Sequence, residues 1–167
     1  MNKNHKSDHV GIASLAQYRV DGQSLGDKQI SIMFRLVSVR LMNLLGQKVE
    51  SYGLSNNGYI ALMTLHGSPA QLLNPSELSA LIGESRGNMT RICDELIKKD
   101  LITRVPSPQD RRRINLSLSE KGMALVTELS PLLSAHNQRI YQGFSREEKA
   151  SAIAFMSKLT DRLDEMM

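Results

Sequence analysis

Apolar residues recur along this chain mostly at helical spacing. From Asp27 to Ser51 one stripe carries Ile30, Met33, Phe34, Val37, Leu41, Leu44 and Leu45, with Ile32, Leu36 and Val39 beside it. A face that wide exceeds what one packing partner covers, so a second subunit is expected against it. Ahead of it, Ile12, Leu15, Ala16 and Val20 predict a short helix that ends at the Gly-Gln-Ser-Leu-Gly break. Gly53 stops the long helix, and Ser55 caps a next one running to about Leu65. At the far end Ser119 opens a helix through Leu125, Val126, Leu129, Leu132, Leu133 and Ile140, with Pro131 inside it. Ser145 and Glu148 form a capping box for a last helix, in which Ala152, Met156, Leu159, Leu163 and Met166 alternate four and three apart. That rhythm is a coiled-coil-like seam about two heptads long.

Between these ends the pattern shortens. Asn74-Pro75-Ser76-Glu77 is a capping box with proline at the first helical position, predicting a short helix with Leu78, Leu81 and Ile82 inward. Gly83 ends it and Ser85 caps another almost at once, which is helix-turn-helix spacing. In that second helix Met89, Ile92, Cys93 and Leu96 form the apolar stripe, while Arg86, Asn88, Thr90 and Arg91 occupy the other side. Two β-prone runs follow, Leu101 to Val105 and Ile114 to Leu118, joined by a loop with two prolines and the arginines Arg111, Arg112 and Arg113. The predicted fold class is mainly α with a small β-hairpin wing: a winged helix-turn-helix over 55–118, flanked by helical dimerisation regions over 10–52 and 119–167, all in one domain.

A helix fits the major groove of a duplex, where Arg and Asn pair with guanine and adenine edges. An arginine-tipped hairpin fits the neighbouring minor groove, where negative potential concentrates. Helix and hairpin together would grip one face of double-stranded DNA. Two copies paired through their terminal helices would set two such helices about 34 Å apart on a pseudo-palindromic site.

Composition adds limits to this picture. The 167 residues suffice to bury a core without staples, and the net charge of +4 permits a nucleic-acid partner without demanding one. A single cysteine excludes an internal disulfide, and His5, His9, His66 and His136 lack zinc-ligand spacing, so no metal or cofactor is expected. No apolar run approaches the ~20 residues of a membrane span, and Met1 to His9 lacks a signal peptide's apolar segment, so a cytoplasmic location with no membrane partner is expected.

The order of elements resembles the MarR family of bacterial transcriptional regulators from about Ile12 to Leu163. The resemblance rests on Pro75-Ser76-Glu77-Leu78, on Thr90-Arg91-Ile92 with Asp94 and Leu96, and on Asp110-Arg111-Arg112 followed by Leu118-Ser119-Glu120-Lys121-Gly122. Within the family the run Ser85-Arg86-x-Asn88-x-Thr90-Arg91 and the proline after the wing are most similar to multidrug-efflux repressors of the EmrR type. The resemblance implies a homodimeric repressor released from DNA by a small aromatic or phenolic effector that binds between the dimer helices and the reading module. It implies that Arg112 enters the minor groove with Asp110 pairing to hold it, and that Ser85, Arg86, Asn88, Thr90 and Arg91 face the major groove or its phosphates. Arg113 departs from the small or apolar residue common there and adds a possible phosphate contact. Asp100 stands where the family usually turns on glycine.

Other readings bear on the same residues. Met33, Met42, Met63 and Met89 read first as plain core and secondly as an adaptable pocket for varied apolar ligands, to which Tyr59 and His66 could donate hydrogen bonds in place of a buried structural role. Cys93 on the apolar stripe reads as a packed small hydrophobe rather than a redox sensor. Gly87 is either tolerated in a first turn or lets the helix approach phosphate closely. A non-catalytic module docking an acidic protein partner is the alternative function. Catalysis is not expected, because Glu147 and Glu148 are adjacent on a helix and point apart, and the chain has no glycine-rich phosphate loop.

Overall fold

A computed structural model describes residues 25–107 and 113–166. The expected helix over 12–20 and the wing-tip residues Asp110, Arg111 and Arg112 lie outside the described residues. The chain divides into two compact units, 1–60 and 61–167, with the division inside a helix.

The first unit is dominated by helix α1, Leu25–Val49, with Asp27 in its first turn and Lys48 in its last, each matched to the helix dipole. One 3-10 turn, Glu50–Tyr52, follows and ends at Gly53, whose φ of 69° is the left-handed conformation that glycine adopts without strain. Helix α2, Asn56–Gly67, begins in this unit, with the Gly58 N–H donating to the Ser55 hydroxyl at 3.1 Å. The Asn56 amide donates 2.8 Å to the Met42 carbonyl and so ties the start of α2 back to α1. Along α1, Ile30, Ile32, Val37, Val39 and Leu44 are all exposed.

In the second unit, helix α3 is Pro75–Ile82 and helix α4 is Arg86–Lys98. Strands β1, Ile102–Pro106, and β2, Ile114–Leu118, form an antiparallel hairpin with Ile102 opposite Leu118 and Pro106 opposite Ile114. Helices α5, Glu120–Ile140, and α6, Arg146–Asp164, complete it. Helix α3 packs on α4, α4 on β1, and both α3 and α5 on β2. The core lies among them, with Leu62, Leu78, Ile92, Leu96, Leu116 and Leu129 sealed from solvent.

Three caps fix the helix starts as their sequences dictate. Asn74 accepts from the Ser76 and Glu77 amides, and the Glu77 carboxylate accepts from the Asn74 amide at 2.9 Å. Ser145 and Glu148 make the equivalent reciprocal pair for α6, and Ser119 caps α5 through the Gly122 amide. Pro131 sits within α5, and the helix runs through it to Ile140.

Two features differ from the sequence expectation or go beyond it. Leu81 does not face inward: it is 64% exposed, whereas Leu78 and Ser79 are buried. At about 100° per residue, Leu81 falls on the opposite flank of Leu78 from Ser79, so a face packed through Leu78 and Ser79 leaves it outward. The hairpin also gains a third partner, because Leu73 bridges Leu116 through backbone hydrogen bonds of 2.8 and 3.3 Å. A one-residue bridge leaves no periodic signal in a sequence.

Candidate nucleic-acid interface

Helix α4 presents its polar side to solvent because its apolar stripe is fully consumed by the core. Met89, Ile92, Cys93 and Leu96 are buried, which turns Arg86, Thr90 and Arg91 outward and leaves Asn88 half-buried. Ser85 is exposed and caps the helix, accepting from the Asn88 amide at 3.3 Å. Thr90 donates its hydroxyl to the Arg86 carbonyl at 3.0 Å. Arg91 donates through Nε and Nη2 to Asn88 Oδ1 at 3.2 and 3.0 Å.

Negative charge at the far end of α4 is neutralised locally. Asp94 pairs with Arg104 of β1 at 2.8 Å, and Glu95 pairs with Lys99 at 2.7 Å. The basic first turns therefore face no competing carboxylate from that end. Arg104 was missed in the sequence, since its pairing with Asp94 depends on how β1 folds back beside α4.

The hairpin is aimed by the junction that follows α4. Asp100 itself takes the left-handed conformation, with φ 57°, where glycine was the expected residue. Aspartate is among the few side chains that tolerate this region. Its carbonyl accepts from the Ser119 hydroxyl at 2.6 Å, the Leu101 carbonyl accepts from the Ser119 amide at 3.1 Å, and the Lys99 carbonyl accepts from Lys121 Nζ at 2.8 Å. A cation thus sits at the C-terminal end of α4, where its dipole favours one. Gly122 completes the clamp: a Cβ there would lie 1.9 Å from the Leu101 carbonyl oxygen. This is the physical content of the Leu118-Ser119-Glu120-Lys121-Gly122 motif. It locks the root of the hairpin to the end of α4.

Toward the tip the Ser107 amide donates to the Arg113 carbonyl at 2.9 Å, and Arg113 is exposed. The tip itself, with Asp110, Arg111 and Arg112, lies outside the described residues. Cys93 is buried in the stripe, and burial pushes its thiol pKa up, with nearby Arg104 lowering it and Asp94 raising it by less.

Of the residues expected to contact an effector, Met33 and Tyr59 belong to the first unit, and Met63 and His66 to the second; each is half-buried. Burial raises the pKa of the Tyr59 phenol, and His66 Nδ1 is shielded with no hydrogen-bond partner among the described residues. Among the described residues no group of acidic, histidine or cysteine side chains could hold a metal ion, and no helix is long and apolar enough to cross a membrane.

Comparison with known proteins places this geometry. Residues 52–113 match the MarR family. The chain is 36% identical over 129 residues to the transcriptional repressor MprA of Escherichia coli K12, covering 76% of this chain and 72% of that one. It is 29% identical over 127 residues to the HTH-type transcriptional regulator PrsX of Escherichia coli, covering 76% of each. Among solved structures, the Staphylococcus aureus MepR–DNA complex aligns with a TM-score of 0.74 at 22% identity, over 83% of this chain and 99% of that one. A MarR family regulator from Silicibacter pomeroyi gives 0.77 at 17% identity, over 89% and 98%. The structures share the winged-helix fold, the sequence identity to MprA extends across it, and together they establish that this chain belongs to the MarR family of transcriptional regulators.

Proposed function

We propose that this protein is a homodimeric transcriptional repressor that binds double-stranded DNA through α4 and the hairpin and releases it on binding a small apolar or phenolic effector. The observation that carries the reading is the exposed basic face of α4, bearing Arg86 and Arg91, tied by hydrogen bonds to the root of a hairpin whose sequence continues into three consecutive arginines. The relative MprA is named a transcriptional repressor, and MepR was solved on DNA. In this reading Ser85, Arg86, Asn88, Thr90 and Arg91 face the major groove or its phosphates, while Arg112, steadied by Asp110 and flanked by Arg111 and Arg113, reaches the minor groove.

The second copy covers the apolar side chains that the single chain leaves in water. Helix α6 buries none of its residues, with Ile153 61%, Met156 45% and Leu163 51% exposed, and α1 exposes its own apolar row. Such faces are unfavourable in a lone soluble chain and are normal at an obligate interface. In this reading Met33, Tyr59, Met63 and His66 are the candidate effector contacts.

Gel shift against the DNA upstream of the protein's own gene tests the reading. Each phosphate neutralised releases counterions, so affinity should fall steeply with salt, and Arg112→Ala should weaken binding by about 1–3 kcal/mol. Equal affinity of wild type and Arg112→Ala removes the wing from the interface. An effector that lowers operator affinity must itself bind less well when operator is present, and identical titrations of a phenolic compound with and without DNA refute the coupling.

A further inference from the structure

We propose that Glu84 is a positioning residue that fixes, through Asn88, the direction in which Arg91 presents its guanidinium on α4; the inference rests on the DNA-binding reading above and deepens it. Glu84 lies in the turn between α3 and α4, and its backbone is pinned on both sides. Its amide donates to the Ser79 carbonyl at 3.0 Å, and its carbonyl accepts from the Ser79 hydroxyl at 2.6 Å. Ser79 is itself buried, so the anchor is part of the α3 core face. From this fixed point the Glu84 carboxylate accepts a short hydrogen bond from Asn88 Nδ2, and Asn88 Oδ1 accepts from both Nε and Nη2 of Arg91.

Chemistry permits this chain in one orientation only. An ionised carboxylate accepts and a guanidinium donates, so the amide between them must turn its NH2 to Glu84 and its oxygen to Arg91. Flipping the amide loses both ends at once. Two consequences follow for recognition. The oxygen that asparagine needs to accept from adenine N6 is engaged by Arg91, so Asn88 serves the arginine rather than reading a base itself. Arg91 is held along its Nε–Nη2 edge, which leaves the end-on fork of Nη1 and Nη2 for guanine or phosphate. The acid in the turn therefore works by orienting the cation that meets DNA.

Two measurements separate this proposal from the reading beneath it. In the DNA-free protein the Arg91 Nε–H resonance, identified by its loss in Arg91→Lys, should exchange with solvent slowly. It should speed up in Glu84→Ala and in Asn88→Ala and be restored in Glu84→Gln, which keeps an acceptor oxygen. Exchange unchanged in Glu84→Ala overturns the proposal whether or not the protein binds DNA. On DNA, the ratio of affinities for the upstream site and a scrambled duplex should fall about tenfold in Glu84→Ala, as for loss of one paired base contact. In an Arg91→Ala background the same change should alter the ratio by less than about twofold. Equal losses in both backgrounds mean that Glu84 does not act through Arg91. A wild type with no preference between the two duplexes sinks the DNA-binding reading alone, and the exchange measurement still decides the network.

Discussion

Gly122 has no room for a side chain. With a Cβ 1.9 Å from a backbone oxygen that cannot rotate away, Gly122→Ala must push α5 off the end of α4. It should cost about 2–3 kcal/mol in chemical denaturation, at the upper end of overpacking penalties. Gly87 is the contrast: among the described residues nothing lies within 4 Å of a Cβ built there, and its backbone is helical. Gly87→Ala should leave stability unchanged or raise it by up to about 1 kcal/mol. Cys93 gives a residue-scale prediction in pH. Because burial raises its thiol pKa, the folded chain holds that proton more tightly than the unfolded chain. Its contribution to stability is therefore whole below the ordinary thiol range and is lost as pH rises through the folded value. Native protein near pH 8 should resist a thiol-specific reagent that reacts at once after unfolding, and rapid native labelling would contradict the burial.

At the scale of elements, short helices survive here through their ends. Helix α3 spans only Pro75–Ile82, too short to persist by propensity, yet Asn74 satisfies two of its amides and Glu77 returns one hydrogen bond. Asn74→Ala should destabilise the protein by about 1–2 kcal/mol in thermal or urea unfolding, and a change under about 0.3 kcal/mol would mean the cap is replaceable by water. These caps were legible in the sequence, as were Gly53, Gly83 and the hairpin strands, because each depends on residues within four positions of one another. The clamp from Ser119, Lys121 and Gly122 onto residues 99–101 was visible only as a motif. Its partners are about twenty positions away, and nothing in local spacing says which carbonyl a lysine will reach.

For the whole molecule the decisive feature is apolar surface that one copy leaves uncovered. The α6 face of Ile153, Met156 and Leu163, extended in sequence by exposed Tyr141 and Phe144 stacked edge-on, is what a partner helix would bury. Sedimentation equilibrium should give twice the chain mass of 18.6 kDa. A Met156→Glu/Leu163→Glu double variant should shift toward the single mass and lose operator binding with it, since two reading helices at one spacing need two copies. A wild type at the single mass would remove the dimer and the paired half-sites together.

Periodicity and capping, written in neighbouring residues, specify the helices of the described residues, their caps, the hairpin strands and the polar face of α4. The same pattern points Leu81 inward, but packing through Leu78 and Ser79 puts Leu81 on the outer flank of the helix. Folding alone brings Leu73 onto the hairpin, Arg104 beside Asp94, and Glu84, pinned by Ser79, into hydrogen-bond reach of Asn88 and so of Arg91. Each of these depends on where a turn delivers a side chain in space, and hydrogen-bond geometry at about 3 Å is far finer than any pattern of hydrophobic and polar letters can specify.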